Sequence, residues 1–169
     1  KEAVIMNIYE FAIDFEVENR KFYEECAEKS DNKNLKGVFL ELAEEEKKHE
    51  NIVRQLMEEK KVDEVESGIL PKAKNAFESI SKDVAGAEDE IFTQQQVDVY
   101  KKAKEMEVDS YKFYTEKAEE TDLPAVEKTF KRLAEEEKKH EKIIDNIIEM
   151  VNRPNTWLDD AEWYHLEDY

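Results

Sequence analysis

FLELAEEEKKHE (39–50) and FKRLAEEEKKHE (130–141) are nearly the same stretch, and each carries a Glu-x-x-His: Glu46 with His49 and Glu137 with His140. Set against itself at an offset of 91 residues, the chain aligns 9–50 with 100–141 without a gap, and 21 of 42 positions are identical. This is an internal repeat. It also covers AIDFEVENRKFY (12–23) against AKEMEVDSYKFY (103–114), so each half has a Glu seven residues before a Tyr: Glu16 with Tyr23, and Glu107 with Tyr114. A duplicated helical hairpin carrying its surface charges along would explain the repeat alone. The direction of the side chains separates that reading from a metal site.

Helical periodicity supplies the direction. A first helix over 2–29 places Ile5, Ile8, Ala12, Phe15, Phe22 and Cys26 on one stripe, and Glu16 falls within it. A second begins after the capping signal Ser30-Asp31-Asn32, and steps of 4, 3, 4 and 3 run through Leu42, Glu46, His49, Val53 and Leu56. A third, over 91–120, uses Val99, Ala103, Met106, Phe113 and Ala118 and carries Glu107. The fourth is capped near Asp122, with Pro124 in its first turn, where no amide donor is missed. It sets Glu137 and His140 between Leu133 and Ile144. Glu44 and Glu135 fall on solvated faces.

Four carboxylates in an apolar face are costly, because desolvating one ion takes several kcal/mol and close like charges force protons back on. Two divalent cations neutralise four carboxylates and leave two imidazoles as nitrogen ligands, the arrangement of carboxylate-bridged four-helix bundles. Oxygen-rich ligation with one nitrogen per metal suits two iron ions, or manganese, better than a tetrahedral structural zinc. The expected metal ligands are therefore Glu16, Glu46, His49, Glu107, Glu137 and His140, with Glu46 and Glu137 as the bridges. The spacing alone is weak evidence in a chain with 44 acidic residues: Glu162 and His165 repeat it in the tail without a duplicated partner. Tyr23 and Tyr114 lie two turns from Glu16 and Glu107 on the same face. Each is either a hydrogen-bond donor that orients a ligand across the bundle or a core tyrosine whose hydroxyl reaches the surface.

Composition sets the frame. With 169 residues, 41% of them charged, and only three Gly and three Pro, the chain suits one domain of long helices. The expected fold is all-α, a ferritin-like four-helix bundle over 1–152 with the duplicated halves at 8–58 and 99–149 and a C-terminal tail over 153–169. The connector at 62–90 far exceeds the usual 2 to 8 residues and implies a crossover along the bundle; a short helix at 72–80 is expected within it. Trp157, Trp163 and Tyr164 are expected to dock on the bundle or on a second subunit. A net charge of −18 argues against nucleic acid and anionic membrane surfaces. No stretch reads as a membrane span. The lone Cys26, read as a small buried hydrophobe, excludes an internal disulfide and any centre held by four cysteines, and suits a cytoplasmic setting.

Glu-x6-Tyr followed by Glu-x-x-His, present twice, resembles the erythrin pattern of the rubrerythrin branch of the ferritin-like superfamily. The resemblance spans about 8–150, apart from the crossover. It implies a di-iron centre that reacts with hydrogen peroxide or dioxygen, an external electron donor such as rubredoxin, and a homodimer. Two departures bear on the reaction. The rubredoxin domain common in these peroxidases has no counterpart, and the further glutamate they carry three residues after the third-helix ligand is Ser110 here, with Asn19 as its counterpart. A more symmetric site is expected. Two other readings remain: a ferroxidase or iron-storage protein of ferritin type, and a metal-stabilised bundle without redox activity.

Overall fold

In the computed structural model of the chain, residues 2–65, 67–85 and 94–159 are described. The side chain of Ile5, residues 86–93 of the crossover and third helix, and Glu162, Trp163, Tyr164 and His165 of the tail lie outside the described residues. Among the described residues six helices follow in order: α1 (Glu2–Lys29), α2 (Lys33–Met57), α3 (Ile69–Ala85), α4 (Gln94–Glu120), α5 (Pro124–Asn152) and α6 (Pro154–Asp159). There is no strand among the described residues. No described helix is long and apolar enough to cross a membrane.

The helix ends follow from local chemistry. Asn32 caps α2, its side-chain oxygen accepting from the amides of Asn34 and Leu35 at 3.0 Å each. At α5 the expected cap is corrected. The residue before a proline is pushed to extended backbone, so Pro124 at the helix start makes Leu123 the boundary (φ −93°, ψ 113°), with no side-chain cap and no role there for Asp122. The crossover holds more helix than 72–80, because Pro71 sits in the first turn of α3, where its missing donor costs nothing. Continuous burial of Ile69, Ala73, Phe77 and Ile80 then fastens α3 to the bundle.

α1 packs on α2 and on α4, and α5 packs on α4 and on α2, so the four long helices form a ring. Their sense can be read from side-chain pairs. Glu16 meets Tyr114, Asn19 meets Ser110 and Tyr23 meets Glu107, so α1 and α4 run antiparallel. Since α2 folds back on α1, α2 and α4 are parallel, and the chain must return along the bundle between them. This is the ferritin-like connection. Two apolar clusters fill the ring on either side of a polar layer. One holds Tyr23, Phe39, Tyr100 and Ile143, and the other Tyr9, Val53, Tyr114 and Phe130. Trp157 of α6 closes the first cluster, its ring edge-on to Phe77 at 6.2 Å between centroids. Several residues expected in the core, Phe15, Phe22, Val99, Met106 and Phe113, are only half-buried at the flanks of the stripe. Cys26 is buried, and burial pushes its thiol up to about 12.

Candidate metal centre

The polar layer contains all six residues singled out by the repeat, and none is more than 2% exposed. Two groups of four form from them: Glu16, Glu46, His49 and Glu137, and Glu46, Glu107, Glu137 and His140, with one potential ligand atom from each residue lying within 4.8 Å of the others. Glu46 and Glu137 belong to both groups. His49 Nδ1 lies 3.0 Å from Glu137 Oε1 and 3.7 Å from Glu16 Oε1. The other half repeats this, with His140 Nδ1 2.8 Å from Glu46 Oε1 and 3.4 Å from Glu107 Oε1. The imidazoles are nearly parallel, 5.6 Å apart with 6° between their planes.

Both tyrosines reach across the bundle. Tyr114 donates to Glu16 Oε1 at 2.6 Å, and Tyr23 donates to Glu107 Oε1 in a very short bond. The Oε2 atoms of Glu16, Glu46, Glu107 and Glu137 are all buried without a partner. Because buried acceptors are normally satisfied, these four oxygens are the strongest sign that the layer is shaped for a cation. Glu16 and Glu107 are each held at one oxygen by a tyrosine and keep the other buried and unpartnered. Converting Tyr23 or Tyr114 to Phe should therefore weaken cation binding by about tenfold, the usual cost of losing an outer partner. A chelator competition series would measure it.

Electrostatics sort the carboxylates into two kinds. Burial, and then the charge of the neighbouring carboxylates, pushes Glu46 and Glu137 well above the usual range. Burial also raises Glu16 and Glu107, but the adjoining Glu46 and Glu137 carboxyls, the histidines and the tyrosines more than offset it, and Glu107 falls to about 2. Burial lowers His140, while the charge of Glu107 outweighs that and leaves it raised. Tyr23 and Tyr114 are driven well above 10 by burial and then by the carboxylates they touch, so they remain donors. These shifts make Glu46, Glu137 and His140 the groups of the layer that favour a proton, which a cation would have to displace. Metal loading should therefore release protons, since metal ligands bind deprotonated; a pH-indicator titration in weak buffer would count them.

Glu45 and Glu136 were not anticipated. They are 2% and 0% exposed, each with one buried oxygen unpartnered. The other oxygen of each meets a lysine three residues on, Lys48 at 3.5 Å and Lys139 at 3.0 Å. Their positions four before His49 and His140 are themselves an i, i+4 signal that placed them on the same face. Asn19 and Ser110 are likewise buried, and Asn19 Nδ2 donates to Ser110 Oγ at 3.0 Å, a neutral clasp between α1 and α4.

The family model for rubrerythrin matches residues 7–148. The chain belongs to the rubrerythrin family. Comparison with curated proteins gave no match, and neither did comparison with solved structures. Members of that family typically bind iron, and the buried carboxylate and histidine cluster of this chain is compatible with a metal site.

Proposed function

We propose that this rubrerythrin binds two iron ions, manganese being the chemical alternative, and reduces hydrogen peroxide or dioxygen with electrons from an external donor of the rubredoxin kind. The observation that carries the reading is the sharing of Glu46 and Glu137 by two four-residue groups. Glu16 with His49, and Glu107 with His140, then serve one position each. Four carboxylates balance two divalent charges, and the unpartnered oxygens gain the partner they lack. When bound, the pair of ions supplies two electrons in one encounter, matching H2O2 + 2e⁻ + 2H⁺ → 2H2O.

The protein's own residues do the rest. Tyr23 and Tyr114 fix the terminal carboxylates, the two apolar clusters keep bulk water from the layer, and the Asn19–Ser110 pair closes the α1–α4 side without adding charge. Anaerobically purified protein should contain two irons per chain by elemental analysis, and its ferrous form should oxidise within the mixing time of a few equivalents of peroxide. A protein without metal would overturn the centre. Two ions with no redox response would leave a structural centre, and a solution mass of many subunits would move the reading to iron storage.

A further inference from the structure

The ligands are duplicated but their surroundings are not. The repeat covers the hairpins, whereas the segment leaving α2 occurs once, so whatever it builds stands over one half-site only. After α2 the chain turns sharply at Glu59 (φ 57°). Asp63 is then tied back to α2, its amide donating to Gln55 Oε1 at 2.9 Å and its Oδ2 accepting from Gln55 Nε2 at 3.1 Å. Arg132 of α5 donates to the Val65 carbonyl at 2.7 Å and pins the strap across the α2–α5 seam. Beneath it lies a cavity of about 280 Å³ whose lining includes Asn51, Asp63, Glu64, Val65 and, from the metal layer, His49. His140, the counterpart of His49, is 0% exposed, and its Nε2 is buried without a partner.

Resting on the reading of the layer as a two-metal centre, we propose that this cavity is the port through which divalent metal enters and leaves. The position served by Glu16 and His49 exchanges quickly, and the position served by Glu107 and His140 exchanges slowly. Charge favours a cation as the occupant. Asp63 and Glu64 are exposed carboxylates at the mouth and, among the described lining residues, outnumber the ammonium of Lys48. A second cavity, of about 580 Å³, is lined by Lys48, Arg132 and Lys139 against one carboxylate, Glu136, so cationic groups outnumber acidic ones there. Peroxide and dioxygen are uncharged and gain nothing from the acidic rim.

The test follows metal in the loaded protein. Release of iron from the ferrous form into a chelator should be biphasic, one ion per phase. Asn51→Trp, an exposed position on the cavity wall, should slow the fast phase about tenfold or more while two ions stay bound. Asp63→Asn with Glu64→Gln should slow reloading with Mn²⁺ by about tenfold at low ionic strength, a difference that fades as salt screens the rim. All three positions are exposed, so neither variant disturbs the core. Release of both ions in one phase, or rates unchanged in both variants, would overturn the port while leaving the centre intact. A wild-type protein that binds no metal would overturn the centre itself. Slower peroxide oxidation in Asn51→Trp with unchanged metal exchange would make the cavity the oxidant's path and end the proposal for metal.

Discussion

Alanine at Glu46 or at Glu137 should cost the protein most of both metal ions, whereas alanine at Glu16 or Glu107 should cost it one. The difference follows from membership: Glu46 and Glu137 belong to both four-residue groups, and Glu16 and Glu107 to one each. Losing an outer partner of a metal ligand weakens binding about 10- to 100-fold, so losing a shared ligand should exceed that at two positions together. Elemental analysis after dialysis against a weak chelator distinguishes the two classes. Full occupancy in both Glu46→Ala and Glu137→Ala would remove the shared-carboxylate geometry from consideration.

The second large effect is on stability. A ligand present at 1,000 times its dissociation constant stabilises by about 4 kcal/mol per site, and in a domain of this size one kcal/mol moves the midpoint by about 2–4 °C. Removing two metals should then lower the melting temperature by about 15 °C or more. The pH dependence of the metal-free protein has a sign that can be worked out. Glu46 and Glu137 are raised above 4.5 on folding, so their contribution is complete below pH 4.5 and is lost as pH rises through their folded values. His140, raised above 6.5, adds a loss in the same direction at higher pH. Glu16 and Glu107 are lowered, so their contribution is present above 4.5 and is lost as pH falls, for Glu107 towards about 2. The metal-free protein should be most stable in mildly acid solution and weaken towards alkaline pH. Metal competes with those same protons, so the gap between loaded and metal-free melting points should widen from about pH 5 to 8. Melts with and without chelator across that range test it; a constant gap would mean that Glu46 and Glu137 are not protonated in the empty layer.

Much of this centre could be read from residues, because a helix converts spacing into direction. Leu42, Glu46, His49 and Val53 are one stripe wherever the helix lies, and the repeat states that there are two such stripes. What periodicity does not reveal is how stripes meet. That Asn19 bonds Ser110 and that Tyr23 reaches Glu107 depend on the antiparallel register of α1 and α4, which only the fold supplies. Glu45 and Glu136 were hidden by their company, three glutamates in a row being easily taken as a wet face. The strap was hidden for another reason: a stretch without period has no direction until Gln55 and Arg132 hold it. Pro71 misled because a proline marks a boundary without saying on which side the helix lies.

The grouping of the ligands has a consequence for assembly. Glu16, Glu46 and His49 come from the α1–α2 hairpin, but the fourth member of their group, Glu137, comes from the other; the mirrored statement holds for Glu107, Glu137, His140 and Glu46. Neither hairpin owns a complete coordination set. An ion can therefore be captured fully only after both hairpins have docked in the right register, and once captured it opposes their separation. Metal uptake in this protein would report the last step of folding and act as its lock.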